Sequence, residues 1–210
     1  MNPSTGLNTH ESSLAEPSAF ACAMPAAGAV ARLRAALDAA FDACADTRDP
    51  SLHASFARAV RAALAEAAAD PALLTDDQRE ASATCYRRHL LAADPHGRYA
   101  VAALVWMPGQ ASPIHAHHTW CGYTVIEGTL TETLYDWQAD IDCAAPVREQ
   151  SREAGAVSFT RAGRTCIHRL GNGSDAAAVS LHIYGVSADQ IATHVNDVVR
   201  IADNVQAVPA

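Results

Sequence analysis

Two histidines at alternate positions, His115 and His117, constrain the folding of this chain more than any other feature of its sequence. They lie in the middle of GQASPIHAHHTWCGYTVIEG, which runs from Gly109 to Gly128. Side chains two residues apart on a β-strand point to the same face of the sheet, so one extended segment can aim both imidazoles at one point. The stretch therefore predicts a metal-binding strand, on which the next residue, His118, points to the opposite face.

The spacing around these histidines resembles the two sequence motifs of the cupin barrel. Five residues separate Gly109 from the first histidine, Cys121 occupies the position where the first motif has Glu, and Gly128 closes that motif. The second motif is matched loosely by Gly155, Gly163, His168 and Asn172. The resemblance implies that His168 is a third metal ligand beside the two histidines of the first motif. Three imidazoles leave open positions on a metal, as a catalytic site requires.

Hydrophobic periodicity divides the chain into a helical part and a strand-rich part. Apolar residues recur at spacings of three and four in two stretches between residues 27 and 69, which predicts two helices. A capping box at residues 75–78 predicts a short third helix. After about residue 83, short strand patterns follow one another, separated by turn signals, and residues 114–127 are predicted as one of these strands.

Several short strands at this spacing indicate a mainly β fold. Together with the cupin motifs they predict a cupin-type, jelly-roll-like double-sheet β-barrel over residues 83–210, with two or three N-terminal α-helices in residues 27–82 packed on it. Residues 1–26 carry no periodicity and are predicted to form a flexible tail. Near the end of the chain, residues 188–195 favour a helix and residues 198–201 favour an added edge strand. Both alternatives stay open.

Charge and composition exclude several classes of protein. The net charge of -8 argues against a nucleic-acid partner, which binds a basic face. All fifteen basic residues are Arg, which excludes the lysine of pyridoxal-phosphate enzymes and of P-loop nucleotide sites. No apolar run approaches the roughly eighteen residues of a membrane span, and the N-terminal segment does not resemble a signal peptide. With six Cys and no CxxC pair, we expect a cytoplasmic protein with free thiols, monomeric or weakly homo-oligomeric.

Several segments between residues 84 and 186 are similar, in the same order, to segments of the cysteine dioxygenase family and its thiol dioxygenase relatives. They read YRRHL from Tyr86, SPIHAH from Ser112, EGTLTETLY from Glu127, IHRLGN from Ile167 and VSLHIY from Val179. The resemblance implies one Fe(II) per chain, held by the three histidines, with O₂ and a small thiol as co-substrates. It also implies that both oxygen atoms are transferred to the thiol sulfur, which gives a sulfinic acid.

The resemblance assigns roles to side chains around the metal. Arg88 would hold the substrate carboxylate, for which a planar guanidinium has matching donors. The other residues predicted to bind substrate are Tyr86, Trp106 and Arg164. Ser180, His182 and Tyr184 alternate along a strand and so share one face. In the family this row is a hydrogen-bonded relay with the Tyr hydroxyl near the metal.

Cys121 is a further candidate at the site. In mammalian-type members of the family, the Cys at this position is joined by a thioether to the active-site Tyr, and the resemblance pairs Cys121 with Tyr184. Counting forward from His117 would place Gly122 there instead, whereas counting back from Gly128 supports Cys121. Many bacterial relatives have Gly and no crosslink, so a thioether and a buried free thiol are both open.

Several functions stay open at this point. Arg88 and Cys121 favour L-cysteine, with cysteine sulfinate as its product. The alternatives are 3-mercaptopropionate, because Trp120 resembles the bacterial branch that uses it, and mercaptosuccinate, because Arg164 offers a second cationic contact. Imidazole ligands alone do not choose between iron and zinc, so a cupin of other metal chemistry, such as an isomerase or a hydrolase, is a further alternative. A cupin that binds a small molecule without catalysis is the last.

Overall fold

The computed structural model of the protein describes residues 28–201, in which two β-sheets follow a pair of helices. The helices are α1 (Ala29–Asp42) and α2 (Ala54–Ala68). The strands are β1 (Arg87–Ala93), β2 (Ala100–Trp106), β3 (His115–His117), β4 (Cys121–Glu127), β5 (Thr129–Gln138), β6 (Cys143–Glu153), β7 (Val157–Thr160), β8 (Gly163–Gly171), β9 (Ala178–Tyr184) and β10 (Asn196–Val198). The predicted third helix is a single 3₁₀ turn, Asp77–Arg79, preceded by the expected cap hydrogen bond from the Thr75 amide to Gln78 Oε1 (3.1 Å).

The strands form two five-stranded sheets whose neighbours pair antiparallel, in the orders β1-β2-β9-β4-β7 and β10-β3-β8-β5-β6. Strands far apart in the sequence, such as β2 and β9, are neighbours because the chain passes repeatedly from one sheet to the other. This arrangement confirms the predicted mainly β, cupin-type double-sheet barrel.

The sheet that contains β9 is covered on both faces. Every residue of β2 and β9 is buried, because helices lie on one side of this sheet and the barrel interior on the other. The outward positions of these strands join the helices in one apolar cluster, which includes Leu37, Phe56, Val60, Leu64, Val101, Leu181 and Ile183. A fully buried side chain of this kind contributes about 1.5–3 kcal/mol relative to an exposed one. The same alternation turns Ser180, His182 and Tyr184 toward the interior.

The prediction of one strand over residues 114–127 is wrong. Residues 115–117 form β3 in one sheet, and residues 121–127 form β4 in the other. The segment between β3 and β4 is hydrogen-bonded to Gly185, the residue that follows β9. Thr119 Oγ1 donates to the Gly185 carbonyl (2.7 Å), and the Gly185 amide donates to the Trp120 carbonyl (3.0 Å). A side chain at Gly185 would collide with Trp120 Nε1, 2.3 Å from an added Cβ. This close approach between distant segments separates the two strands.

The end of the described chain adds an edge strand. β10 pairs with β3, with Asn196 opposite His117, while residues 188–190 form only a 3₁₀ turn. The edge-strand alternative is therefore the one observed, two residues earlier than predicted. The predicted flexible tail, residues 1–26, lies outside the described residues. Neither helix of the described part is long and apolar enough to cross a membrane.

Candidate metal centre

Three imidazoles meet inside the barrel. β3 carries His115 and His117, β8 carries His168, and the pairing of the two strands sets His115 directly opposite His168. One ring nitrogen of each residue lies within 4.8 Å of the others, and all three side chains are buried. The structure thus brings together the three predicted metal ligands, while His118 is exposed on the other face.

Hydrogen bonds orient two of these rings. His115 Nδ1 donates to the Pro113 carbonyl (2.9 Å), and His168 Nδ1 donates to the Glu132 carboxylate (2.8 Å). Because a carbonyl and a carboxylate accept hydrogen bonds, each Nδ1 carries the proton and each Nε2 keeps its lone pair. These two lone pairs are available to a metal ion in the interior.

Burial keeps His115 and His117 neutral. Together with the charge of the neighbouring His168, it lowers the pKa of His115 to about 4 and that of His117 to about 2. Neutral imidazole is the form that binds a metal, since a protonated ring has no lone pair to offer. Three buried imidazoles fit a divalent transition metal with positions left open to other ligands.

A partly enclosed cavity adjoins the three histidines, which form part of its lining. Of the other predicted site residues, those that line it are Tyr86, Arg88, Trp106, Cys121, His182 and Tyr184. The structure therefore brings most of the predicted residues to one cavity beside the candidate metal site.

Arg88 brings the only guanidinium to this cavity among the residues that the structure describes. Its Nη1 donates to the Ile191 carbonyl (3.0 Å), and its guanidinium carbon lies 5.7 Å from the centre of the Tyr184 ring. Its Nε is buried with no acceptor in the described protein. An anionic ligand would satisfy this donor, whose burial unpaired costs about 1–3 kcal/mol. The neighbouring Arg87 points outward to Glu80 (3.0 Å), since successive side chains of a strand face opposite sides of the sheet.

The row on β9 is hydrogen-bonded in part. Trp106 Nε1 donates to Ser180 Oγ (2.9 Å), and Ser180 Oγ lies 2.8 Å from His182 Nε2. Since the indole can only donate, the hydroxyl hydrogen of Ser180 is free to bond His182. Tyr184 joins the row by stacking, with its ring centre 5.7 Å from that of His182. Burial raises the pKa of Tyr184 well above its usual value, so its hydroxyl stays protonated.

Cys121, not Gly122, faces the cavity. Cys121 pairs directly with Tyr184 across β4 and β9, and both residues are buried. Gly122 faces α2, where an added Cβ would lie 3.0 Å from Leu64 and 3.1 Å from Val60. Burial raises the pKa of the Cys121 thiol, which is free in this structure. The pairing sets this thiol beside the phenol, since the Cβ atoms of directly opposite residues lie about 4.5–5.5 Å apart.

Arg164 is not part of this cavity. It lies at the exposed start of β8, where its Nε binds Asp197 (3.1 Å) and its guanidinium stacks 4.0 Å from the centre of the Trp137 ring. The strand reaches the interior only from about Ile167 onward. The predicted second cationic contact is therefore absent from the lining of the described cavity.

Tyr123 and Glu132 contact predicted site residues but were not themselves predicted as site residues. Tyr123 lines the cavity, and its ring stacks on that of His182 with centres 5.4 Å apart. Glu132 is buried behind His168; burial alone would raise its pKa, but hydrogen bonds from His168 and Gln150 outweigh that effect and lower it. A carboxylate at an inward-facing strand position needs a buried partner, but the sequence does not show that this partner is His168.

Comparison with known proteins gave one family and several solved structures. The family cysteine dioxygenase type I matches residues 77–196. A protein from Thermus thermophilus is 19% identical over 54% of this chain and 96% of its own, with a TM-score of 0.42. A Cupin 2 conserved barrel domain protein from Salinispora arenicola is 18% identical over 57% of this chain and 91% of its own, with a TM-score of 0.41.

Proposed function

Because the chain belongs to the cysteine dioxygenase type I family, we propose that it is a thiol dioxygenase that uses Fe(II) and O₂. Its substrate would be a small carboxylated thiol, with L-cysteine as the first candidate, and its product the corresponding sulfinic acid. In this reaction the thiol sulfur gains both oxygen atoms of O₂ and is oxidised by four electrons, which O₂ accepts. The observation that carries the proposal is a single cavity lined by three buried imidazoles and one guanidinium.

Different residues of the cavity would bind the metal, bind the substrate carboxylate and orient the reacting groups. When bound to the three histidines, Fe(II) would supply a Lewis-acidic centre at which thiol and O₂ can meet. Arg88 would bind the substrate carboxylate through its unsatisfied Nε. Tyr184, protonated and next to Arg88, would offer its hydroxyl hydrogen to a substrate or oxygen atom near the metal. The buried lining would limit the access of water to the reacting sulfur.

The cavity also bears on the choice of thiol. With Arg164 bound to Asp197 outside the cavity, a dicarboxylic thiol such as mercaptosuccinate has lost its predicted second contact. No Asp or Glu among the described residues lines the cavity, so no carboxylate there could pair with the ammonium group of cysteine. This observation favours 3-mercaptopropionate, which has no amine, as the second candidate substrate.

Oxygen consumption by the iron-loaded protein tests the proposal. L-cysteine, 3-mercaptopropionate and mercaptosuccinate would be compared with cysteamine, which has the thiol and amine of cysteine but no carboxylate. We expect O₂ uptake with at least one carboxylated thiol, a product heavier by about 32 Da for the two added oxygen atoms, and much lower kcat/KM for cysteamine. If none of the thiols is oxidised by protein with one bound iron per chain, the proposed function is wrong.

A further inference from the structure

A buried carboxylate lies directly behind one of the three imidazoles. Glu132 on β5 is 3% exposed, and its Oε1 accepts the hydrogen bond from His168 Nδ1 (2.8 Å). The other oxygen, Oε2, accepts from Gln150 Nε2 (2.7 Å) and lies 3.6 Å from Arg152 Nε. Such a burial costs free energy unless each oxygen has a partner. Glu132 has one for each.

These partners are distributed over three adjacent strands. β5 lies between β8, which carries His168, and β6, which carries Gln150 and Arg152. Glu132 pairs directly with Gln150 across β5 and β6 and with Leu170, the inward neighbour of His168, across β5 and β8. The strand pairing therefore fixes the Glu132 carboxylate next to the His168 imidazole. A shift of His168 would require a change in two strand pairings.

The same group of residues reaches the row on β9. The guanidinium carbon of Arg152 lies 5.4 Å from the centre of the Tyr123 ring. That ring in turn stacks on His182 with an interplanar angle of 17°. Arg152 thus contacts both the carboxylate that orients His168 and the ring that supports His182.

We propose that Glu132 is a positioning residue for the metal centre: it holds His168 with the proton on Nδ1 and the lone pair of Nε2 directed to the metal, while Gln150 and Arg152 hold Glu132. The inference rests on the proposed metal centre but not on the identity of the thiol. A carboxylate that accepts from the outer nitrogen of a ligand histidine fixes the ring and makes it a better ligand, and its loss costs about 10- to 100-fold in metal affinity or activity.

Anaerobic titration with Fe(II) against a chromophoric chelator tests this inference without any thiol. We expect Glu132→Ala to weaken Fe(II) binding by about 100-fold and Glu132→Gln by about 10-fold, since the amide keeps one acceptor but turns an N–H toward Gln150 or Arg152. Glu149→Gln is the matched control, because Glu149 lies on the neighbouring strand and is exposed. It should bind Fe(II) like the wild type.

A second variant keeps the test decisive if Glu132→Ala does not fold. Arg152→Met retains the carboxylate but removes its cationic neighbour, and an intermediate loss of affinity is expected. Folding of each metal-free variant would be checked by circular dichroism. Wild-type affinity in a folded Glu132→Gln or Glu132→Ala protein would overturn the inference. If the wild type binds Fe(II) but oxidises no thiol, the proposed function fails, while these affinities still decide the role of Glu132.

Discussion

Arg88 is the residue on which recognition of a carboxylated thiol depends. Its replacement by Gln removes the only guanidinium that the described residues bring to the cavity. A charge-assisted hydrogen bond contributes about 1.5–3 kcal/mol, so we expect kcat/KM for a carboxylated thiol to fall by roughly 10- to 150-fold in Arg88→Gln. The loss should be much smaller for cysteamine. Steady-state O₂ uptake measures both values.

Arg87→Gln is the matched control for this substitution. It removes the same group one position earlier, where the side chain points outward to Glu80. We expect its kcat/KM to stay close to the wild-type value. Equal losses in the two variants would mean that Arg88 acts through the stability of β1 and not through the substrate.

The pairing of Cys121 with Tyr184 is the basis for predicting a covalent bond between them. The two residues are directly opposite each other in adjacent strands, and both are buried. We expect turnover with iron and O₂ to produce a thioether between them, with loss of the thiol hydrogen and one ring hydrogen to O₂ and a mass lower by about 2 Da. Intact-mass spectrometry measures the change, which should be missing in Cys121→Ser and Tyr184→Phe but present in Cys166→Ser. An unchanged mass after many turnovers would leave Cys121 as a buried free thiol.

Single residues of this site differ in how far the sequence predicts them. The two histidines of β3 were predictable because strand alternation converts a spacing of two into a shared direction. Arg88 and the β9 row were predicted by resemblance, and their faces by the same alternation. Glu132 was missed because its role depends on β5 lying next to β8, which no local pattern reveals. Arg164 lies near His168 in sequence, but the first residues of β8 are exposed and its buried positions begin at Ile167.

Among the elements, the turn between β1 and β2 joins the barrel to the helices. Asp94 accepts hydrogen bonds from the Arg98 backbone amide and side chain (2.9 Å each), and Arg98 also donates to Asp38 on α1 (2.7 Å). The guanidinium of Arg98 lies 4.7 Å from the centre of the Phe41 ring. Arg98 thus links the turn between β1 and β2 to α1.

This turn predicts a pH dependence of stability. Hydrogen bonding to Arg98 lowers the pKa of Asp94 from 3.8 to about 2 despite its burial. Because the folded-state pKa is the lower one, the carboxylate stabilises the fold fully above about pH 4, and this contribution is lost as the pH falls toward 2. We expect Asp94→Asn to lower the free energy of unfolding by about 1–3 kcal/mol at pH 7 and by much less at pH 2.5.

Urea denaturation of the wild type and Asp94→Asn at several pH values measures this difference. The exposed Asp140→Asn in the turn after β5 serves as the control, and it should change stability little at any pH. A difference between Asp94→Asn and wild type that is the same at pH 7 and pH 2.5 would exclude the carboxylate charge as its cause.

The elements also show where local patterns are insufficient. Strand-rich and helical parts were predicted from periodicity, which reports which face of an element is buried. The break between β3 and β4 was missed, because residues 118–120 contain neither Gly nor Pro and the crossover depends on Gly185, more than sixty residues later. The edge strand β10 was one of two alternatives, and its partner β3 decides between them.

At the scale of the whole molecule, one sheet joins the helices to the metal centre. Its strands β2, β4 and β9 present apolar side chains to α1 and α2 on one face and cavity residues on the other. Leu64 and Val60 of α2 fill the space above Gly122, the neighbour of Cys121. The barrel with helices was predictable, whereas this fit between α2 and β4 was not, because it joins residues about sixty positions apart.

A shared sheet predicts that metal binding stabilises the helices as well as the barrel. A ligand that binds only the folded state adds about 2.7 kcal/mol at a free concentration of 100 times its Kd. Under anaerobic conditions, Fe(II) should therefore raise the melting temperature, and a chelator should reverse the shift.

The melting temperatures measured by far-UV dichroism of the helices and by near-UV dichroism of the aromatic core should rise by the same amount, since α1 and α2 share one core with β9. His168→Ala should show no shift, whereas His118→Ala, exposed on the other face, should behave like the wild type. If the melting temperature of the helices were the same with and without Fe(II), the helices would fold as a separate unit.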